Sequence, residues 1–362
     1  MCSLTTNDLR IRQSYAYAVA RIRQKENDLL DRARIARLLD ASGISEVLRI
    51  LGETEYSSAI EDLSADDYET VLTNELARVF AFVSEFVPDL SVVELFRLPY
   101  DLHNCKVAFR AQALSMDASD LWSPLGTVSA AKIRRAVAGE MSVGELPEHV
   151  ANILAAGFEH LGISPVTPPL DKDSDSGRLD CGSLDPKTLD MVLDRACFAG
   201  LREIVRKTGS SSIHRLFKVR VDLANMTGFL RCKRLKRSFG FFKMAFVPFG
   251  DLPIDAFEEV YEEDVETFVR NMSSSEYGSL VSEWSPFSER RDSIAFLERA
   301  GRRYLTELSR RASQSVFFGP EPIVNYLIAK ENEVSDLRAI MVGKANGLDV
   351  QSIRERLSGL YE

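Results

Sequence analysis

The sequence predicts an all-α protein built from three related helical segments. Apolar residues recur at three- and four-residue steps along most of the chain, which is the spacing of one helix face. Strict alternation of apolar and polar residues is hard to find, and no hairpin signal separates two alternating runs. Several short motifs also recur along the chain in a fixed order. These observations favour small helical bundles over a sheet.

Helix boundaries can be read at three places. The first 40 residues predict one long or slightly broken amphipathic helix. A second helix is predicted over 64–87, where Ser64 and Asp67 form a capping-box pattern ahead of an apolar stripe. Toward the other end, Asn346-Gly347 follows IMVGKA and predicts a helix C-cap.

Residues 168–190 differ in composition, because Pro, Asp, Ser and Gly dominate them. This segment predicts an acidic, solvated loop. Its Asp-x-Asp-x-Asp core resembles the start of a calcium-binding loop. The positions that would need Gly and a bidentate Glu hold Ser176 and Gly182, however, so a calcium site is not expected.

Composition and charge exclude several classes of function. The chain has 362 residues, a net charge of −9 and few histidines. An acidic chain is a poor general binder of nucleic acid, which draws affinity from Lys and Arg. No apolar run approaches the roughly 20 residues of a spanning helix, and the N-terminus lacks the pattern of a signal peptide. We therefore expect a soluble, cytoplasmic protein with no membrane insertion of its own.

Cysteine and histidine usage predicts no cofactor and no metal. The five cysteines are an odd number, widely scattered and without a Cys-x-x-Cys pair, which is typical of buried thiols in a reducing compartment. None of the four histidines pairs with another at metal-ligand spacing. No nucleophile motif accompanies them, so catalytic residues are not expected.

The clearest repeat is the frame D-L-x-N-x5-R. Two copies are complete, and a third keeps only the Asn and the Arg, since Ala329 stands where the acid is expected. The residues are Asp101, Asn104 and Arg110, then Asp222, Asn225 and Arg231, then Asn332 and Arg338. Asp and Asn three positions apart share one side of a helix. They either hold the fold together or form a pseudo-threefold set of contacts to a partner.

Two further matches give the repeat its register. Pro124-Leu-Gly126 corresponds to Pro248-Phe-Gly250, and LGETEY ending at Tyr56 corresponds to MSSSEY ending at Tyr277. With seams near residues 122 and 246, the sequence predicts three helical repeats over 1–122, 123–245 and 246–362, the second carrying the acidic loop.

Over nearly its whole length, from about residue 12 to 357 and most strongly at both ends, the chain resembles a known family. This family is the C subunits of the archaeal and bacterial V/A-type ATPases, which are the counterparts of the eukaryotic V-ATPase d subunit. The resemblance rests on YAYAVARIR near residue 15, on LGETEY, DLHNCKVAFRA and VDLANMTGFLR, and on PEPIVNYLIAKENE near residue 320. No single motif is diagnostic; their order and the total length carry the resemblance.

The resemblance implies a funnel of three helical bundles that works in the central stalk of a rotary ATPase or ATP synthase. The implied partners are the membrane rotor (c/K/L-type) ring and the central-axle subunits of the D and F type. The implied role is a socket that couples axle to ring for proton or sodium transport, on the cytoplasmic face of the membrane and without an active site.

A basic run offers a candidate contact patch for such partners. Lys233, Arg234, Lys236 and Arg237 follow Arg231 closely, and they would meet acidic loops of the ring or an acidic axle end by electrostatic steering. A solvated helix face explains the same run equally well.

Two alternatives stay open at this point. One is an all-helical enzyme with a magnesium-diphosphate site, for which Asp66, Asp67 and Glu69 would be one acidic patch and Glu262-Glu263-Asp264 a candidate second. The other is a helical adaptor unrelated to a rotary motor, which would share the composition and the repeats and differ only in its partner.

Overall fold

The computed structural model of the chain describes residues 6–60, 67–163 and 185–358, with side chains from residue 15 onward. Within these ranges every regular element is helical, which confirms the predicted all-α class. No helix among the described residues is both long enough and apolar enough to cross a bilayer.

Before residue 164, a long first helix and two further long helices are separated and followed by short helices. Their bounds are α1 (Thr6–Lys25), α2 (Arg32–Asp40), α3 (Ile44–Leu51), α4 (Ser57–Ile60), α5 (Tyr68–Ser84), α6 (Ser91–Leu114), α7 (Ala130–Val137) and α8 (Glu148–His160).

The helices after residue 184 repeat this pattern of long helices separated by short ones. Their bounds are α9 (Pro186–Thr208), α10 (Ser211–Arg234), α11 (Phe239–Ala245), α12 (Asp255–Glu258), α13 (Val265–Met272), α14 (Gly278–Trp284), α15 (Ser293–Gln314), α16 (Glu321–Ala345) and α17 (Val350–Arg354). Single 3-10 turns lie at Glu26–Asp28, Ser119–Leu121, Val143–Glu145 and Ser285–Phe287.

The helix boundaries agree with the sequence signals in most places. The predicted N-terminal helix is broken after Lys25 and resumes in α2, where the Asp31 side chain accepts a hydrogen bond from the Arg34 N–H. Gly347 has a φ of 63°, and its position after Asn346 confirms the predicted C-cap. The described part of the 64–87 helix begins at Tyr68, and Ser64 lies outside the described residues.

One boundary differs from its prediction. Residues 186–190, the end of the predicted loop 168–190, belong to helix α9. The reason is local, since Asp185 caps the helix through the Lys187 N–H and Pro186 occupies the first helical position, which proline favours. The rest of that loop up to residue 184, including the Asp-rich core, lies outside the described residues.

Helix contacts arrange the chain in three groups. Each group starts with a long helix, which we call the leading helix, and ends with another, the return helix, that packs against it. The first group runs from α6 to α9 and the second from α10 to α15. The third joins the two ends of the chain, because leading helix α16 packs against return helix α5 as well as against α1, α3 and α17.

Each return helix also packs against the leading helix of the next group, since α5 contacts α6, α9 contacts α10 and α15 contacts α16. The apolar core follows this grouping. One cluster of buried side chains fills the first and third groups, and a second, rich in phenylalanine, fills the second group from Val219 to Ala300.

These contacts lead us to propose domains that differ from the predicted seams near 122 and 246. The proposed boundaries lie near residues 90, 210 and 320, in the short linkers between a return helix and the next leading helix. The predicted seams follow the Pro-x-Gly turns, and in the fold those turns stay attached to the helix before them.

Candidate functional site

The first D-x-x-N pair holds the chain that follows helix α6. Asp101, which is fully buried, accepts hydrogen bonds from the Thr127 N–H at 2.9 Å, the Thr127 hydroxyl at 2.6 Å and the Val128 N–H at 3.1 Å. Asn104 both donates to the Ser123 carbonyl and accepts from the Ser123 N–H. A carboxylate and an amide one helical turn apart thereby satisfy backbone hydrogen-bonding groups of one tight turn.

The second pair repeats this geometry in helix α10. Asp222 accepts from the backbone N–H groups of Asp251 and Leu252 at 2.9 and 3.0 Å, and Asn225 exchanges two hydrogen bonds with Val247. Here the third donor is the Tyr277 hydroxyl, 2.7 Å from Asp222 Oδ2, in the place that the Thr127 hydroxyl takes in the first group.

The glycine of each Pro-x-Gly turn allows this close approach. A Cβ atom on Gly126 would overlap Asp101 Oδ1, and one on Gly250 would overlap Asp222 Oδ1. The Asp, the Asn and the Pro-x-Gly turn therefore form one structural unit. This explains why the sequence repeats them together.

In the third group the equivalent contacts come from Glu333 and Asp336 of helix α16. Glu333 accepts from the Leu30 N–H at 2.6 Å and from the Tyr56 hydroxyl at 2.8 Å. Asp336 accepts from the Ser358 N–H and hydroxyl at 2.8 and 2.5 Å. Glu333 thus matches Asp222, because each accepts a hydrogen bond from a tyrosine hydroxyl. Asp336 matches Asn225, because each accepts a hydrogen bond from the backbone N–H 22 residues further along the chain.

This geometry leads us to propose another register for the third copy. In the sequence frame, Asn332 is equivalent to Asn104 and Asn225. In the structure it donates instead to the Thr306 hydroxyl of return helix α15. The contact-equivalent pair lies one helical turn later, and we propose Glu333 and Asp336 as the third copy. Its signal in the sequence is Glu-x-x-Asp in place of Asp-x-x-Asn. Ser358 then follows Asp336 at the same distance along the chain, 22 residues, at which Val247 follows Asn225.

The arginines of the frame all pair with return helices. Arg110 pairs with Asp190 of α9, Arg231 with Glu298 of α15 at 2.6 Å, and Arg338 with Glu69 of α5 at 2.9 Å. Each ion pair is at least partly exposed, so each contributes little stability, about 0–1 kcal/mol. Together they tie each leading helix to the return helix of its own group.

Burial shapes the chemistry of the turn-holding acids. It raises the pKa of Asp101, of Asp222 and of Asp336, while the hydrogen bonds that each accepts act in the opposite direction. Burial likewise raises the pKa of the Cys197 thiol to about 12 and that of Cys105 well above its usual value. With Cys232, these cysteines are buried free thiols, as predicted.

A buried ion cluster adds to the third group. Lys330, 3% exposed, lies 2.6 Å from Glu333 and 2.7 Å from the fully buried Glu75 of α5. Its ammonium also lies 4.4 Å from the centre of the Tyr56 ring. Arg78 completes the cluster by pairing with Glu75 at 2.8 Å. Each buried charge thus has an opposite partner, which offsets part of its desolvation cost.

In the basic run at the end of α10, one side chain points inward and three are exposed. Lys233 turns inward and donates to the carbonyls of Tyr261 and Glu263 at 2.5 Å, and Arg237 lies over the Phe241 ring. Arg234, Lys236 and Arg237 are exposed, and the first two lie on either side of Leu235, which is itself 67% exposed. The outward part of the predicted patch is therefore a basic and apolar corner at the end of α10.

Two of the acidic residues of the enzyme hypothesis have structural partners. Glu69 pairs with Arg338, and the Asp264 side chain caps helix α13 through the Thr267 N–H. Asp66 lies outside the described residues.

A cavity of about 560 Å³ opens where the three groups meet. Helices α6 and α9 of the first group, α10 and α15 of the second and α16 of the third all line it. Its walls are mainly apolar. Representative wall residues are Phe96, Phe217, Leu223, Leu305 and Ile328. Such a concave, mostly apolar space with a few polar groups is the usual form of a binding site.

Comparison with known proteins gives this architecture a family. Residues 18–356 match the family described as ATP synthase (C/AC39) subunit. The C subunit of the V-type sodium ATPase of Enterococcus hirae is 24% identical over 341 residues, covering 94% of this chain and 97% of that protein. The C subunits of the A-type ATP synthases of Methanothermobacter thermautotrophicus and Methanocaldococcus jannaschii are 26% and 24% identical, covering 95% and 96% of this chain and 88% and 86% of their own lengths. With the match extending over nearly its whole length, the chain belongs to the ATP synthase (C/AC39) subunit family and is a subunit of an ATPase complex.

Proposed function

We propose that this chain is a non-catalytic central-stalk subunit of a rotary V/A-type ATPase or ATP synthase, where it joins the central axle to the membrane rotor ring. The observation that carries the proposal is the cavity lined by helices of all three groups. An end of the axle bound in this cavity would contact all three groups at once. Proton or sodium transport would be driven through this connection, from the cytoplasmic face of the membrane.

The arrangement of the groups suits a part that transmits torque. Each return helix packs against the next leading helix, and the third group unites the two chain ends through Glu333, which accepts hydrogen bonds from Leu30 and Tyr56. Interiors packed in this way have low compressibility and transmit strain. A force applied at the cavity would therefore reach all three groups without a hinge.

For the ring, we propose the exposed corner of Arg234, Leu235 and Lys236 as one contact surface. Two basic side chains beside an exposed leucine fit an acidic loop with an apolar residue. The remaining basic residues of the run, Lys233 and Arg237, support this corner through their contacts with the adjacent chain.

Co-purification tests the proposal. The purified chain is mixed separately with detergent-solubilised rotor ring and with the D- and F-type axle pair of the same organism, and retention is measured at micromolar concentration. Binding of both is expected. Replacing Arg234 and Lys236 by Glu should weaken retention of the ring and leave the axle bound. The matched control is Arg195→Gln, an exposed arginine on α9 without a described partner.

The same experiment separates the alternatives. Retention of neither ring nor axle would remove the coupling role and favour a helical adaptor with another partner. Turnover of an allylic diphosphate by the isolated chain would favour the enzyme hypothesis.

A further inference from the structure

Some of the charged side chains that line the central cavity form ion pairs, and others do not. Arg231 and Glu298 form an ion pair at 2.6 Å, so they neutralise each other. Within the described part of the chain, the Arg302 guanidinium donates only to the Ser335 hydroxyl, at 2.5 Å. For Arg220 and Glu331, no described residue forms a hydrogen bond or an ion pair with either side chain. Two arginines and one glutamate thus face the cavity without a close opposite charge.

Glu331 lies too far from both arginines for contact, yet near enough to be influenced by them. Burial raises the pKa of its carboxyl to about 7, and the positive charges of Arg220 and Arg302 act against this rise. The side chain keeps partial access to the cavity. A chain with a net charge of −9 therefore encloses an apolar cavity whose unpaired charges sum to about +1 or, when Glu331 is protonated, about +2.

A partner that closes this cavity must compensate the excess positive charge of its two arginines. Removing an unpaired guanidinium from water is costly, and a single opposite charge nearby offsets much of that cost. A basic group entering the cavity would add to the repulsion. An acidic group would pair with both arginines and have Glu331 as an unpaired neighbour of like charge, since Glu298 is already paired with Arg231.

We propose that the cavity binds the apolar end of a partner helix that carries an acidic side chain, which Arg220 and Arg302 hold, and that Glu331 makes this binding proton-linked. The inference rests on the proposed function, because it takes the axle as the partner and adds the chemistry of its recognition. Arg220 is the stronger test residue, since it has no described partner in the free chain.

The proton linkage has a defined sign. Four charged or titratable side chains from four helices influence the surroundings of Glu331: Arg220 of α10, Arg302 of α15, and Tyr100 of α6 with its neighbour Arg338 of α16. A carboxylate bound beside Glu331 raises the pKa of Glu331 further, so binding takes up a proton. Affinity should therefore rise as the pH is lowered toward about 7 and level off below it.

Isothermal calorimetry with the purified axle pair tests this. Arg220→Gln should weaken binding about tenfold or more, since close charge pairs at interfaces couple strongly. Glu331→Gln should tighten binding several-fold at about pH 8 and abolish its pH dependence. Arg195→Gln, outside the cavity, should match the wild type. Thermal unfolding of each variant confirms that it is folded.

The outcomes are distinguishable. Wild-type affinity in Arg220→Gln, or weaker binding in Glu331→Gln, would overturn the inference while the coupling role stands. Failure of the wild-type chain to bind the axle at all would overturn both. A double-mutant cycle against Gln substitutions of the acidic residues at the axle's end adds a partner-side readout: a coupling energy near zero with Arg220 at every position contradicts the proposal.

Discussion

Tyr56 donates a hydrogen bond of 2.8 Å to Glu333, although 277 residues separate them along the chain. The same bond, at 2.7 Å, joins Tyr277 to Asp222 over a separation of 55 residues. The two tyrosines end the related segments LGETEY and MSSSEY. The same tyrosine–carboxylate hydrogen bond therefore occurs once within a continuous stretch of chain and once between the start of the chain and its end.

Removing either hydroxyl should destabilise the protein. In Tyr56→Phe and in Tyr277→Phe a buried carboxylate loses a donor, and a hydrogen bond to a charged group contributes about 1.5–3 kcal/mol. We expect the smaller loss in Tyr56→Phe, because the charged Lys330 ammonium still pairs with Glu333, whereas Asp222 keeps only neutral backbone donors. Urea denaturation measures both. Tyr17→Phe, at an exposed ring, should change the free energy of unfolding by less than about 0.5 kcal/mol.

The turn glycines should not tolerate a side chain. Gly126→Ala and Gly250→Ala place a methyl group where Asp101 and Asp222 now lie, so the turn and its hydrogen bonds must separate. Each should cost more than about 2 kcal/mol, as expected when a buried carboxylate loses its donors.

Gly228→Ala is the matched control for these two substitutions. It lies within α10, and the nearest atom outside its own helix backbone is 3.9 Å from a new Cβ. Because alanine favours helix over glycine, this variant should be as stable as the wild type or more stable, by about 0.5–1 kcal/mol. Equal losses in all three variants would contradict a specific role for the turns.

Glu331 should make stability depend on pH even without a partner. Its folded pKa, about 7, lies above its ordinary value of 4.5, so the folded chain holds a proton that the unfolded chain releases. The stability of the wild type should therefore fall as the pH rises through this interval. The free energy of unfolding of Glu331→Gln, relative to wild type, should increase between about pH 5 and about pH 8.

Denaturant unfolding at a series of pH values measures this difference. Glu289→Gln, which removes an exposed carboxyl without a described partner, should give a curve parallel to the wild type. A Glu331→Gln curve that is also parallel would show that the cavity does not perturb Glu331.

The buried thiols should react only on unfolding. Cys105 and Cys197 are shielded from reagent, and burial raises the pKa of both thiols, which lowers the fraction of reactive thiolate. Mass spectrometry after iodoacetamide treatment at about pH 8 should find both unmodified in the native chain and both alkylated in denaturant. Rapid native modification of Cys197 would contradict the packing of α9 against α6.

Local signals in the sequence determined much of the fold. The 3.6-residue period identified the helices, and Asn346-Gly347 marked the end of α16, because these features depend on neighbours in the chain. The recurrence of Asp101 and Asp222 with a Pro-x-Gly turn was also visible in the sequence. Each aspartate and its turn lie within about 30 residues, and the close approach demands a glycine.

Only the tertiary structure decided how the third group closes. Asn332 and Asp336 differ by one helical turn and so lie on the same side of α16, where periodicity alone cannot separate the two registers. Contacts from Leu30 and Tyr56 to Glu333, and from Ser358 to Asp336, choose between them. The cavity charges were also hidden from the sequence, since Arg220, Arg302 and Glu331 lie on three helices, α10, α15 and α16, which only packing between the second and third groups brings together.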